Sequence, residues 1–287
     1  MAASETFARP GAPGLNEKPD TDLIPDLDLM LGAAREAGRI ALGFFRSDNR
    51  VWMKSGNSPV SQADMDVDAY LRAALTGARP GYGWMSEETL DSADRLDREH
   101  VFVVDPIDGT RGFLEGDPQW CVSVALVRAG RPVAAVLHCP ALERTFHALS
   151  GGGAWLNGAA LTGAVRPGAT DAAAQSRLTG SRRLNAEIDR LYPGRFAIAP
   201  YIPSLAYRLA LVATGELDGA YARSGSHDWD LAAADLVLSE AGGDLTALDG
   251  SPLVYNDPAT RNPALIAAGA GRHGELLRLA KSGGFLH

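Results

Sequence analysis

The sequence predicts a mixed α and β protein built in two parts. Three observations predict it: two amphipathic helices near the start, a run of strands through the middle, and strands alternating with helices in the last third. Over 26–46 the apolar residues Leu27, Leu31, Ala34, Gly38, Ala41 and Phe45 recur at helical spacing, which makes an amphipathic helix. Residues 51–54 form a short strand, and Gly56-Asn57-Ser58-Pro59 is a loop by its turn chemistry. A second helix runs over 61–75 with Val67, Tyr70, Leu71 and Ala74 on one stripe, and 91–100 is a charged surface loop. Val101-Phe102-Val103-Val104 is a compact β-branched run expected to be a buried strand. Strands over 120–127 and 133–139 flank a turn at 128–132, and 145–149 adds another strand before Gly151-Gly152-Gly153.

In the second part short strands are expected at 178–179, 195–199, 218–222 and 265–268. Helices are expected at 204–213, 229–241 and 275–280, the middle one closed by Gly242-Gly243. This alternation suggests an α/β layer. The boundary between the parts falls near 165–174, giving a disordered tail over 1–22, a first part over 23–168 and a second over 169–287.

Composition limits the function. Hydrophobic residues make up 46% of the 287, enough for a full core, and 35 acidic against 27 basic residues leave a net charge of −8. That balance, with no clear basic stripe, argues against a nucleic-acid partner. Cys121 and Cys139 are too few for a disulfide framework or a four-ligand zinc site, and are expected as buried thiols. The first residues lack the basic start and apolar core of a secretory signal, and the uncharged stretch 145–165 is too rich in glycine for a membrane helix. No membrane partner and a cytoplasmic location are therefore expected.

The chemistry concentrates at Asp105-Pro106-Ile107-Asp108-Gly109-Thr110. Two carboxylates three residues apart end a buried strand; Pro106 fixes a backbone angle between them, Gly109 permits a tight turn, and Thr110 is placed to cap a helix. Such carboxylates repel and lose hydration, which a hard cation such as Mg²⁺ or Ca²⁺ would offset. An ordinary Asx turn is the other reading of these residues. Three more sites carry similar ambiguity. Ser86-Glu87-Glu88 is either a solvated acid pair or part of a site. Asp64 either favours a helix dipole or does chemistry. Asp228-Trp229-Asp230 either caps a helix or supplies a ligand.

Taken together, Ser86-Glu87-Glu88, the 105–110 motif, and Trp229-Asp230 through Glu240-Ala241-Gly242-Gly243 resemble the inositol monophosphatase family of metal-dependent phosphatases, from about Leu27 to the C-terminus. Gly151-Gly152-Gly153-Ala154-Trp155 looks like that family's glycine-rich strand end. The resemblance implies an α+β fold of layered αβαβα sugar-phosphatase type, with metals at the junction of its two parts. It implies Glu87, Asp105, Asp108, Asp230 and the carbonyl of Ile107 as metal ligands. Thr110 and Asp64 would orient the attacking water, and Lys54 more loosely matches the basic residue of a mobile metal-binding loop. The cofactor implied is two or three Mg²⁺, with sensitivity to Li⁺. One ion would activate the water and another would stabilise the leaving oxygen. Backbone N–H groups at Gly109 and Thr110 would bind phosphate oxygens.

The partner implied is a small phosphorylated metabolite. Residues 108–114, with Gly112 where inositol phosphatases commonly carry Asn, look closest to bacterial 3'(2'),5'-bisphosphate nucleotidases and some histidinol phosphatases. Trp229-Asp230 fits the nucleotidase and inositol groups better. Adenosine 3',5'-bisphosphate is the expected substrate, ahead of inositol monophosphate and then histidinol phosphate. Ser181, Arg182, Arg223, His227 and Asp230 are candidate contacts to its organic part, although a solvated loop also explains the polar ones. Many relatives are homodimers and bisphosphate nucleotidases are often monomers, which leaves the oligomeric state open. A non-catalytic scaffold of the same fold would be expected to lack a ligand, and none is missing here.

Overall fold

Pro25 in the first turn and apolar residues every three or four positions make the first long helix of this chain, whose structure is a computed structural model describing residues 20–47, 50–53, 59–164, 175–269 and 271–286. That helix, α1 (Ile24–Phe44), buries Leu27, Met30, Ala34, Ala37 and Ala41 on one stripe. β1 (Val51–Met53) and β2 (Pro59–Ser61) pair antiparallel and lead into α2 (Gln62–Ala78). Then come β3 (Gly83–Ser86), β4 (His100–Asp108), a five-residue helix α3 (Thr110–Leu114), β5 (Cys121–Arg128) and β6 (Arg131–Cys139). β7 (Arg144–Leu149), β8 (Gly153–Leu156) and β9 (Ala159–Ala160) complete a seven-stranded sheet in the order β3-β4-β5-β6-β7-β8-β9. The remainder is β10 (Ser176–Thr179), α4 (Arg182–Leu191), β11 (Phe196–Ile198), α5 (Leu205–Ala213), β12 (Gly219–Ala222), α6 (Asp228–Glu240), β13 (Gly243–Ala247), β14 (Leu265–Gly269) and α7 (His273–Gly283).

The two-residue period of a strand explains the layering. On β4, β5 and β6 one set of alternate side chains, Phe102, Val104, Val122, Val124, Leu126 and Val136, packs with α1 and α2. The other set, Val101, Val103, Cys121, Ala125, Val127 and Leu137, packs with α5 and α6. Both faces are covered, so these strands read as unbroken apolar runs. The same alternation recurs in the second sheet. Ala220, Leu265 and Ala267 face α5 and α6, while Tyr221, Ile266 and Ala268 face Leu184, Ile188, Leu276 and Ala280 of α4 and α7. The order is therefore helix pair, seven-stranded sheet, helix pair, five-stranded sheet, helix pair, the expected αβαβα arrangement. Among the described residues no helix is long and apolar enough to cross a membrane.

Several expectations are corrected. The second sheet is mixed: β10 runs parallel to β11 and β12, whereas β14 is antiparallel to β12 and β13. Strand β12, helix α6 and strand β13 make a crossover that leaves a gap, and the chain returns through a loop to fill that gap from the opposite direction. Residues 20–22, assigned above to the tail, are ordered: Asp20 pairs with Arg128 at 2.7 Å and Thr21–Leu23 forms a 3-10 turn. The charged segment 91–100 contains a 3-10 turn, and its Arg95 is only 2% exposed, bonded to Asp91, Asn256 Oδ1 and the Asp257 carbonyl. Helix α4 and strands β2, β3, β9 and β13 have no counterpart among the elements expected from the sequence. Lys54, the loop at 56–58, the boundary at 165–174 and tail residues 1–19 lie outside the described residues.

The glycine run is fastened to the central helix layer. Gly151 and Gly153 donate their N–H groups to Glu240 Oε1 and Oε2 at 2.9 and 2.8 Å, which ties the β7–β8 turn to the end of α6.

Candidate active site

The site begins where β4 stops pairing regularly. Asp105 lies opposite Ser123 and Asp108 opposite Cys121, with a bulge between, so one residue of extra chain turns both carboxylates to one end of the sheet. Gly109 follows with φ 95°. It, rather than Thr110, is the N-cap of α3; Thr110 is the first helical residue. A Cβ on Gly109 would lie 3.1–3.2 Å from the backbone and Cβ of Ser204. We therefore expect Gly109→Ala to destabilise the fold by about 1–2 kcal/mol through strained φ and displacement of the α5 entry, measurable as a lowered midpoint in denaturant.

Helix α2 brings in the second component. Ser61-Gln62-Ala63-Asp64 closes a capping box, with Ser61 N–H and Oγ–H both donating to Asp64 Oδ2, at 2.7 and 2.6 Å. The other oxygen, Oδ1, accepts the Thr110 hydroxyl at 3.3 Å, and that hydroxyl also reaches the Ile107 carbonyl at 3.0 Å. One turn on, Asp68 accepts the hydroxyls of Ser86 and Thr89. The turn bearing Glu87 is thus held against α2, and Glu87 N–H donates to Val104 O at 3.2 Å beside the end of β4.

The third component is the start of α6. Its N-cap is His227, and Asp230 occupies the third helical position, accepting His227 N–H at Oδ2 at 2.7 Å. Capping and convergence on the β4 carboxylates therefore coexist in Asp230. Oxygens of Asp105, Asp108 and Asp230 all lie within 4.8 Å of one another.

Each carboxylate is held by one oxygen. Asp105 Oδ1 accepts Ile107 N–H at 3.0 Å, and Asp108 Oδ2 accepts the Ser204 hydroxyl and Ala206 N–H. Among the described residues no hydrogen-bond donor is paired with Asp105 Oδ2, Asp108 Oδ1 or Asp230 Oδ1. Burial pushes the Asp105 carboxyl well above the usual range, reinforced by the charges of Glu87, Asp108, Asp230 and Asp64. Burial raises Asp108 to about 6 against the opposing bonds from Ser204, Ala206 and Leu205. Burial and the charge of Asp108 raise Asp230, and burial raises Asp64. Three carboxylates gathered this closely, Asp105 and Asp108 buried and Asp230 half-buried, resist ionising in company. An all-oxygen donor set fits a hard divalent cation, which removes that resistance.

The candidate substrate residues are more dispersed. The Ser181 hydroxyl accepts Leu184 N–H at 3.3 Å and so caps α4 instead of standing in a loop. Arg223 pairs with Glu187 of α4 at 2.6 Å. His227 stacks on Trp229 with ring centroids 4.4 Å apart and planes 4° from parallel, and its Nδ1 lies 3.1 Å from Thr260 Oγ1. Arg182 lies over the Tyr201 ring at 4.9 Å. The neighbouring Asp228, raised to about 6 by burial, accepts Asn256 N–H and the Asn262 side chain and fastens the 256–262 loop.

Ser204, Ser61 and Asp68 were not singled out from the sequence as site residues. Ser61 had a readable signal, the Ser-x-x-Asp capping box, whereas the Ser204 and Asp68 contacts span 96 and 18–21 residues and leave no local mark.

A model of the inositol monophosphatase family matches residues 24–281 of the chain. An inositol-1-monophosphatase of Mesorhizobium japonicum is 35% identical over 237 residues, covering 78% of this chain and 86% of its own length. A histidinol-phosphatase of Mycobacterium tuberculosis is 36% identical over 238 residues, covering 78% and 88%. A 3'(2'),5'-bisphosphate nucleotidase CysQ of Aggregatibacter actinomycetemcomitans is 32% identical over 242 residues, covering 82% and 88%. The solved structure of the extragenic suppressor protein SuhB of Bartonella henselae aligns with a TM-score of 0.77 and 30% identity, over 90% of this chain and 99% of that one.

Proposed function

Because the chain belongs to the inositol monophosphatase family, whose members hydrolyse phosphate monoesters with Mg²⁺, we propose that Glu87, Asp105, Asp108, Asp230 and the carbonyl of Ile107 hold its metal, two or three ions in number. The observation that carries this reading is the convergence of the Asp105, Asp108 and Asp230 oxygens within 4.8 Å, next to the hydrogen-bonded pair Asp64 and Thr110. Bound Mg²⁺ supplies positive charge for the phosphoryl oxygens and lowers the pKa of water.

The protein's own groups do the positioning. The Thr110 hydroxyl, shared between Asp64 Oδ1 and Ile107 O, orients the attacking water. Asp64 takes its proton; a carboxylate raised by burial is a better base than an exposed one. The N–H groups of Gly109 and Thr110 open α3, where backbone donors lack intrahelical partners, and they bind the phosphate oxygens. Neither Asp105 nor Asp108 acts as a nucleophile, so no covalent phospho-enzyme forms.

For the ester we propose a substrate with a second anionic group, adenosine 3',5'-bisphosphate, released as AMP and phosphate. Arg182 and Arg223 follow the adjacent parallel strands β10 and β12, and Arg223 lies seven residues before Asp230. A guanidinium recognises a phosphate through paired N–H groups, whereas an inositol ring needs hydroxyl partners. The His227–Trp229 stack adds an aromatic surface beside Asp230. A second reading, inositol-1-phosphate, is favoured by the 35% identity to the Mesorhizobium enzyme.

Phosphate release with Mg²⁺ from adenosine 3',5'-bisphosphate, inositol-1-phosphate, histidinol phosphate and fructose bisphosphate, run in parallel, tests the choice. We expect kcat/KM for the nucleotide to lead by at least about tenfold. Arg223→Ala should erase about 10–100-fold of it, the effect of one charge-assisted contact. A lead for inositol-1-phosphate would overturn the substrate and leave the hydrolytic chemistry standing.

A further inference from the structure

We propose that Ser204 is a positioning residue that fixes Asp108 as a one-oxygen metal ligand, an inference that rests on the reading of Asp108 as a ligand given above. Ser204 does two things with one hydroxyl. As N-cap of α5 its Oγ accepts the N–H of Tyr207 at 2.9 Å, which leaves its proton free to go elsewhere. That proton goes to Asp108 Oδ2. The N–H of Ala206 in the first turn of the same helix donates to the same oxygen at 2.7 Å, and the thiol of Cys121 lies 3.9 Å from it.

One oxygen of Asp108 is therefore held by donors from the start of α5, 96 to 98 residues away in sequence, which leaves Oδ1 as the oxygen without a donor among the described residues, on a carboxylate that converges with Asp105 and Asp230. A carboxylate with one oxygen so held neither rotates nor chelates through both oxygens.

The support behind Ser204 is rigid. Ser204 is fully buried, and one turn along α5 the buried Arg208 donates to the Ile202 carbonyl at 2.7 Å with its guanidinium 5.6 Å from the Tyr201 ring centroid. The segment 201–204 is thereby clamped to the helix it introduces. Gly109 packs directly on Ser204 from the other side. The serine accordingly joins a ligand on the first sheet to a helix that packs also on the second.

Mn²⁺ titration followed by electron paramagnetic resonance, with the metal alone as probe, tests the assignment on the full chain. Ser204→Ala and Ser204→Gly should each weaken Mn²⁺ binding by about 10–100-fold, the usual effect of removing a group that orients a ligand. Glycine is nearly as good an N-cap as serine, so that variant separates loss of positioning from loss of helix capping. Ser204→Thr, which keeps the hydroxyl, should restore most of the affinity. Asp108→Asn serves as the reference. If Asp108→Asn loses a Mn²⁺ while Ser204→Ala and Ser204→Gly bind like the parent chain, the positioning role is wrong and the ligand role stands. If Asp108→Asn itself binds all its Mn²⁺ normally, the ligand role fails and the proposal falls with it.

Discussion

Asp105→Asn is expected to lower phosphate release at saturating Mg²⁺ by at least about 10³-fold, some 4 kcal/mol of transition-state stabilisation. The residue lies in register opposite Ser123 at the last regular pair of β4, and its Oδ1 accepts the Ile107 N–H that shapes the turn. Asparagine has the same size and can keep that acceptor, so the turn and sheet are retained. What disappears is the anionic second oxygen. The circular dichroism spectrum and the metal-free melting temperature should stay at or above those of the parent chain, because a buried charge that repels Asp108 and Asp230 is gone. Turnover within tenfold of the parent, with fold intact, would remove Asp105 from the metal-binding set.

The second large effect concerns stability and pH. The folded-state pKa values of Asp105, Asp108 and Asp230 are all raised, Asp108 to about 6, whereas an unfolded aspartate titrates near 3.9. Between these limits the native state binds more protons than the unfolded state, so stability falls as pH rises through the window. A raised acid is least harmful when protonated; its cost is complete above its folded pKa. For Asp108 the cost is on the order of 3 kcal/mol by pH 8. His138, held at about 4 by burial, acts in the opposite sense, losing stability as pH falls below its unfolded value. The informative quantity is therefore the rise in melting temperature on adding Mg²⁺. We expect about 5–10 °C at pH 8 and little at pH 5.5, where protons occupy the same oxygens. In Asp105→Asn the rise at pH 8 should shrink by half or more. A Mg²⁺ effect independent of pH would contradict the mutual repulsion of these carboxylates.

Much of the fold could be read along the chain because its causes are local. The run 101–104 is apolar without interruption because helices cover both faces of β4, and the glycines at 242–243 end α6 by a rule of backbone conformation. A charged run such as 91–100 is usually solvated, so the sequence does not show that Arg95 is buried; its burial depends on Asn256 and Asp257, more than 160 residues away. Helix α4 leaves a weak mark in the sequence because only Leu184, Ile188 and Leu191 line its inner face, and the mixed order of the second sheet depends on which gap β14 enters.

The residue types needed for hydrolysis, and the resemblance that groups Glu87, Asp105, Asp108 and Asp230, are written in the sequence, since spacing within a short motif survives without coordinates. Asp105 and Asp230 are tied by N–H groups two and three residues away, but which oxygen of Asp108 is tied and which is free was decided by tertiary structure alone. That choice depends on donors such as Ser204 and Ala206, brought to Asp108 across 96 to 98 residues by the packing of α5 between two sheets. A carboxylate is symmetric in sequence, and only its neighbours in space make its two oxygens different.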